Sequence, residues 1–356
     1  MVKMKFTLAD LQKRFGEGTV VQYGTLKSGI RNIQRFSSGS MIINHMLGGG
    51  WPLGRIVEIS GNESSGKTSL CLHAIAEIQK IGGGACFIDM EHALDPTWAT
   101  NLGVNMNELF LATPNCAEDA LEIAEAVVQT EDVSLVVVDS VSALVPRAEV
   151  EGDMGAAHMA IQARLMGQGL RKLSPLAAKH KTTIIFINQL RQNIGVMYGP
   201  SEVTSGGMAL RFFSSIRLRV TRGKQLKEGD VTVGNIIKLR TMKNKTGIPF
   251  QDREVEFYYK RGGISLEGEL GTLMLDIGLI YKNGAIYTLP ATTDYSRLVK
   301  KIGETTEIVP LKEIIKSFPK TERRKVKGRE EALKALRQNL NLQKAGEQAL
   351  KEVGII

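Results

Sequence analysis

Apolar residues along this chain fall into short runs separated by stretches of helical spacing. The runs Ile56 to Ile59, Ala85 to Met90, Leu135 to Val138 and Thr183 to Asn188 are four to six residues long, the length of a buried strand. Between them, Leu70, Leu72, Ala74, Ile75 and Ile78 predict a helix that ends at Gly82 to Gly84. Leu121, Ala124 and Val128, beside Ala120, Ile123 and Val127, predict a second amphipathic helix, and residues from His158 to about Leu173 a third. Such alternation predicts an α/β fold with a mostly parallel central sheet covered on both faces. Beyond Arg211 the pattern changes to Ile216, Leu218, Val220 and then Val233, Ile236, Ile237, Leu239, which predicts an antiparallel extension with turns at Gly223 and Gly229. Phe6, Leu8, Leu11 and Phe15 predict a short amphipathic helix near the N-terminus. From Ser265 onward a small α+β segment is expected, with a hairpin at Lys282-Asn283-Gly284 and charged helices after Glu307. Three regions follow: 1–28, helix and linker; 29–264, core; 265–356, C-terminal domain.

In a parallel sheet, ligands belong at the carboxyl ends of the strands. The string GNESSGKT, Gly61 to Thr68, lies between the first run and its helix, where a phosphate-binding loop belongs. Gly61 and Gly66 would let backbone amides turn onto phosphate oxygens, with Asn62, Glu63, Ser64 and Ser65 completing the loop and Ser69 following it. Lys67 would reach the β and γ phosphates and Thr68 would ligate Mg²⁺. The plainer alternative is a glycine turn with a solvated lysine. Asp139, after Val138, is placed to hold Mg²⁺ through water, or only to cap a turn. Glu91 is placed to deprotonate an attacking water, or to form a structural ion pair. Gln189 is placed to sense the γ-phosphate, or to serve as an ordinary turn residue.

Composition narrows the class. Hydrophobic content of 43% is ample for a buried core, and a formal charge of +9 with a pI of about 9.3 favours a polyanionic partner. The three cysteines, Cys71, Cys86 and Cys116, form no C-x-x-C pair that would hold zinc. The opening MVKMKFTLADLQKRFG has no secretory apolar core, and later apolar runs are only strand-length, so a cytoplasmic protein without a membrane span is expected.

The strings GNESSGKT, FIDMEHALDP (Phe87 to Pro96), VVVDSVSALVPRAEVEG (Val136 to Gly152), FINQLRQNIGVMYG (Phe186 to Gly199) and MKNKTGIPF (Met242 to Phe250) together resemble the bacterial RecA recombinase family. The resemblance spans roughly Leu11 to Leu270. It implies a RecA-like P-loop NTPase core in a protein that forms helical filaments on single-stranded DNA. Such a protein hydrolyses ATP with Mg²⁺, pairs the strand with homologous duplex DNA, exchanges strands, and promotes self-cleavage of an SOS repressor. The N-terminal helix then serves self-assembly. Lys67, Thr68 and Asp139 match the nucleotide and Mg²⁺ positions, Glu91 the catalytic glutamate and Gln189 the γ-phosphate sensor. Asp95 and Trp98 match adenine contacts, while the usual nearby tyrosine is either Tyr258 or Tyr259. Lys243 and Lys245, which alone read as a solvated charge run, match a pair that reaches ATP on the adjacent subunit.

The same resemblance assigns DNA binding to the loops 151–158 and 190–207, which alone read as surface connections. Met159, Arg164, Arg171, Arg191, Ile194, Gly206 and Gly207 are the residues it implicates. Departures are Asn62 for a usual proline, Met208 for asparagine, Asn193 for lysine, and one extra residue around Phe257 to Gly263. The C-terminus also departs: Pro319 to Ile356 holds ten Lys or Arg against five Glu, a basic tail where many relatives are acidic. Two other classes use similar residues: a RadA-type enzyme or ring helicase, and a nucleotide-gated scaffold on DNA. The first lacks support here, since no four-cysteine module is present and a helix precedes the core.

Overall fold

The computed structural model describes residues 7–16, 20, 33–152, 159–192, 202–260, 262–277, 279–290 and 323–352. Two compact units, 1–35 and 36–356, are each described by themselves. In the first, α1 (Leu8–Phe15) opens on a reciprocal cap in which Thr7 and Asp10 each bond the other's backbone amide. It closes at Gly16, whose φ of 98° suits glycine, and Gln12 bonds the Val20 carbonyl at 2.9 Å.

The second unit begins with α2 (Met41–Leu47), then β1 (Ile56–Gly61), α3 (Lys67–Lys80), β2 (Gly84–Asp89), α4 (Pro96–Asn101), β3 (Leu109–Ala112) and α5 (Ala117–Gln129). It continues through β4 (Val133–Asp139), α6 (Met159–His180), β5 (Thr183–Gln192), β6 (Glu202–Thr204), α7 (Ala209–Phe213), β7 (Ile216–Glu228), β8 (Val231–Asn244), β9 (Asp252–Tyr258) and β10 (Gly263–Ile264). These strands form one ten-stranded sheet in the order β10-β9-β8-β7-β1-β5-β4-β2-β3, with β6 on β5. From β7 through β1 to β3 neighbours are parallel; from β7 to β10 they are antiparallel, as the change of pattern predicts.

Alternate residues of each central strand enter different cores. Leu135, Val137, Ile185 and Ile187 pack with Leu70 and Ile75 of α3 on one face. Val136, Val138, Ile184 and Phe186 pack with Leu121 and Ala124 of α5 and Leu170 and Leu173 of α6 on the other. Each such Val, Leu, Ile or Phe side chain contributes about 1.5–3 kcal/mol by leaving water, which is why both faces demand apolar residues. The thiols of Cys71, Cys86 and Cys116 are buried as well; desolvation raises Cys71 and pushes Cys86 up to about 11.

Two boundaries differ from expectation. The third helix does not stop near Leu173 but runs through Pro175 to His180. Pro175 lies on the exposed side while Leu170, Leu173 and Ala177 stay buried at helical spacing, so packing carries the helix past the proline. Gly223 is no turn: β7 continues through it, and only Gly229, with φ +60°, turns the chain. A Cβ on Gly223 would stand 2.9 Å from the Ile236 carbonyl, beside a register shift in β8, so this glycine permits a close approach.

The remaining elements form a small lobe: α8 (Leu266–Asp276), β11 (Tyr281–Asn283), β12 (Ile286–Pro290), β13 (Arg323–Lys327), α9 (Arg329–Arg337) and α10 (Leu340–Glu352). The hairpin turns at Gly284, φ +57°, where the sequence places it. The basic segment is not a pendant tail. Arg323 to Lys327 pair antiparallel with β12, and Leu336, Leu342, Ala345, Ala349 and Leu350 pack with Leu270, Leu273 and Met274 of α8. The part of the expected charged helical stretches that falls between Glu307 and Glu322 lies outside the described residues.

Two polar clasps join this lobe to the core. Glu269 of α8 accepts the Ser40 hydroxyl and, at 2.8 Å, the Met41 amide at the start of α2. Burial pushes the Glu269 carboxyl up to about 7, against the bonds from Ser40, Met41 and Ile42. Arg329 reaches Glu256 of β9 and Thr272 of α8, both at 3.1 Å. Among the described residues, no helix is long and apolar enough to cross a membrane.

Candidate nucleotide and nucleic-acid site

The loop after β1 is shaped by close approach. A Cβ on Gly61 would stand 2.2 Å from the Val220 carbonyl, so β1 ends in glycine because β7 leaves no room. Positive φ at Ser64 (53°) and Gly66 (95°) brings the chain round into α3. No side chain caps the first turn of α3, whose leading amides keep their donors for another acceptor. Ser65 Oγ is buried within the loop with no partner, while Asn62, Glu63 and Ser64 are exposed. Lys67 is buried and its ammonium donates to the Asn62 carbonyl at 2.8 Å. Desolvation lowers its pKa, opposed by Asp139 and Glu91. An uncapped helix start, an orphaned hydroxyl and a desolvated ammonium in one loop fit a polyphosphate.

The strand ends complete the site. Thr68 Oγ1 donates to Asp139 Oδ2 at 2.7 Å, joining α3 to β4. Burial pushes Asp139 up to about 6; the Thr68 bond and Lys67 oppose the rise, while Glu91 and Asp89 add to it. A cation ligated there would offset that cost. The turn after β2 is held by Asp89, whose carboxylate accepts the amides of Glu91 (3.1 Å), Ala93 (3.3 Å) and Leu94 (3.1 Å). Glu91 is thereby presented to β4 and β5, where its Oε1 accepts Gln189 Nε2 at 3.0 Å and the Ser140 hydroxyl. Glu91, Asp139 and Gln189 therefore converge as their strand-end positions predict, and among the described residues Glu91 makes no ion pair.

Sequence reasoning passed over three residues. Ser140 follows Asp139 and binds Glu91 directly. Asn188 accepts the Gln189 amide and donates at 3.0 Å to both Glu58 Oε1 and the Ser205 carbonyl. Glu58 is fully buried and paired with Arg217 of β7. The available signal was a polar residue inside each of two apolar runs.

Trp98 meets the loop helix and Asp95 caps the helix that carries it. Asp95 Oδ1 caps α4 through the amides of Thr97 (2.8 Å) and Trp98 (3.2 Å). Trp98 Nε1 donates to Ser69 Oγ at 3.1 Å, its ring 6.1 Å from that of Phe257. Tyr258 bonds Glu256 at 3.4 Å and Tyr259 bonds Asn235 at 3.1 Å.

Lys243 lies near the end of β8 and Lys245 just after it. Lys243 is half-buried, not solvated: its ammonium donates to the carbonyls of Arg211 (2.7 Å) and Phe212 (3.0 Å) at the end of α7. Desolvation, Lys245 and Arg217 lower its pKa, and Glu58 opposes them. The Lys245 side chain is exposed.

Of the nucleic-acid candidates, Arg164 and Arg171 project exposed from α6, and Arg191 is exposed on β5 opposite Val203. Gly206 (φ 80°) and Gly207 (φ 73°) lie against Val141 and against Ala163 of α6, with virtual Cβ positions at 2.6 and 2.9 Å. The Met159 side chain, Ile194, and loop residues 153–158 and 193–201 lie outside the described residues. Met208, where asparagine is usual, is exposed.

With this geometry in place, comparison with known proteins is decisive: the RecA N-terminal domain family matches residues 2–265. The chain belongs to the RecA family. It is 52% identical over 282 residues, 79% of this chain and 80% of the relative, to Protein RecA of Listeria monocytogenes and of Listeria innocua. Membership brings nucleotide binding, DNA binding and a role in recombination and DNA repair. The small lobe lies beyond the matched family domain.

Proposed function

We propose that the chain is an ATP-hydrolysing recombinase that polymerises on single-stranded DNA, pairs it with homologous duplex and exchanges strands. The observation that carries this reading is the bonded convergence of Thr68, Asp139, Glu91 and Gln189 beside a loop with an uncapped helix start. Family membership supports the DNA half of the reading.

In this reading ATP lies with its phosphates on residues Gly61 to Ser69, against the Lys67 ammonium. Thr68 and Asp139 would hold Mg²⁺, which would supply positive charge to the phosphate oxygens. Asp95 and Trp98 receive adenine, the indole offering a stacking face. Glu91 takes a proton from a water whose oxygen bonds to the γ-phosphorus as the bond to ADP breaks. Gln189 reports the presence of the γ-phosphate. Lys243 and Lys245 stabilise the transferred charge on the adjacent subunit's ATP. Arg164, Arg171, Arg191 and the amides of Gly206 and Gly207 grip DNA phosphates, with Met159 and Ile194 between bases, so binding is independent of base sequence.

Self-assembly uses the N-terminal unit; the outermost strand β3, which exposes Phe110 and Leu111, supports a second contact between copies. The C-terminal lobe handles duplex DNA, and the place of action is the cytoplasm. A further expectation is stimulated self-cleavage of an SOS repressor, which a cleavage assay with assembled filaments tests.

Strand exchange between labelled homologous oligonucleotides, with and without ATP, tests the central claim. ATP-dependent exchange is expected; DNA coating without exchange would leave a scaffold. Mixing Lys67→Ala with a Lys243→Ala, Lys245→Ala protein tests the shared site. Partial recovery of hydrolysis is expected, because some interfaces then pair an intact loop with intact lysines.

A further inference from the structure

Two donors meet on one oxygen of Glu91, and they differ in kind. Gln189 is partly exposed, whereas Ser140 is fully buried at the end of β4. Ser140 begins the short 3₁₀ turn Val141–Ala143, where a serine hydroxyl ordinarily caps the turn it opens. Here it makes no cap. It donates to Glu91 Oε1 and lies 3.2 Å from Ser142 Oγ. The turn that carries it is fastened from outside, because Gln162 of α6 donates to the carbonyls of Val141 and Leu144, both at 2.9 Å. Ser140 is thus a fixed donor aimed at a carboxylate that stands on an exposed turn. Glu91 Oε2 has no protein partner among the described residues.

We propose that Ser140 is the positioning residue for Glu91, holding Oε1 so that Oε2 faces the attacking water. The proposal rests on the reading of Glu91 as the base. A hydroxyl bond to a charged group is stronger than one between neutral groups and can decide a carboxylate's rotamer on a loop.

The test is steady-state ATP hydrolysis on single-stranded DNA by Ser140→Ala, Glu91→Gln and the double variant, with DNA binding measured in a slowly hydrolysed ATP analogue. Ser140→Ala is expected to lower kcat by about tenfold, with KM for ATP within about twofold and analogue-dependent DNA binding kept. Ser140→Cys, nearly isosteric with a weaker donor, is expected to fall between. In the Glu91→Gln background the serine change should cost nothing further, since its effect passes through the carboxylate. A wild-type kcat, a change in KM alone, or a loss that multiplies in the double variant would overturn the proposal. Loss of analogue-dependent DNA binding would make Ser140 structural and overturn it too. If Glu91→Gln itself turns over normally, the base assignment fails; if Glu91→Gln is inactive and Ser140→Ala is not, only the present proposal fails.

Discussion

The phosphate-loop end of the sheet and the clasp of the small lobe each bury a carboxylate, Asp139 and Glu269, and in each burial raises the pKa, to about 6 and about 7. Their partners differ. Around Asp139 stand side chains: the Thr68 hydroxyl, Lys67 and Glu91. Around Glu269 stand the Ser40 hydroxyl that caps α2 and the backbone amides behind it. Side chains can turn toward a ligand, but helix amides cannot leave their helix. A raised carboxyl therefore marks function only where its partners are free to be taken over; elsewhere it marks an anchor.

The contrast is broken most severely at the loop. Lys67→Ala is expected to abolish nucleotide binding and hydrolysis together. Glu91→Gln should keep analogue-dependent DNA binding while turnover falls by about 100-fold or more, read by steady-state hydrolysis. Neither change should move the urea midpoint much, since neither group packs the core.

At the lobe, stability is what should change. Leu336 is fully buried, and Leu336→Ala should cost about 2–5 kcal/mol in urea unfolding. Truncation after Phe318 removes the β13 pairing and the packed faces of α9 and α10, so it unfolds the lobe and does not trim a tail.

Glu269→Gln sharpens the comparison through pH. The folded carboxyl keeps its proton up to about 7, whereas an unperturbed glutamate loses it near 4.5. The folded state binds the extra proton between those values, so this stability is complete below 4.5 and lost as the pH rises through 7. The wild-type chain should therefore lose on the order of 2 kcal/mol at this site between pH 5 and 8, and the Gln variant should not. Parallel stability curves for the two proteins would refute the assignment.

The smallest effect is expected at the exposed cations Arg324, Lys325 and Lys327. Replacing each with Ala should weaken duplex DNA binding and flatten its log–log salt dependence by about 0.9 for every phosphate no longer neutralised, with single-strand ATPase kept. Equal slopes would make the strand a solvated edge.

Most of the parallel half was legible because a strand buried on both faces is a continuous apolar run that ends where the sheet meets solvent. Glu91, Asp139 and Gln189 stand at those ends and converge. Glu58 and Asn188 were hidden inside runs, where their mutual bond and the Arg217 pair satisfy them only in three dimensions. Strand β13 was hidden for the opposite reason. Of the five residues Arg323 to Lys327 only Val326 is apolar, and pairing with β12 defines the strand. Gly223 and Pro175 misled because each is a local breaker that tertiary packing absorbs.

The burial of every cysteine has a practical consequence. With Cys71, Cys86 and Cys116 out of reach and two of those thiols raised, the native protein should be silent to maleimide at neutral pH. A single cysteine placed at Leu111, on the open edge of the sheet, would then carry a fluorophore without background and report assembly as it happens.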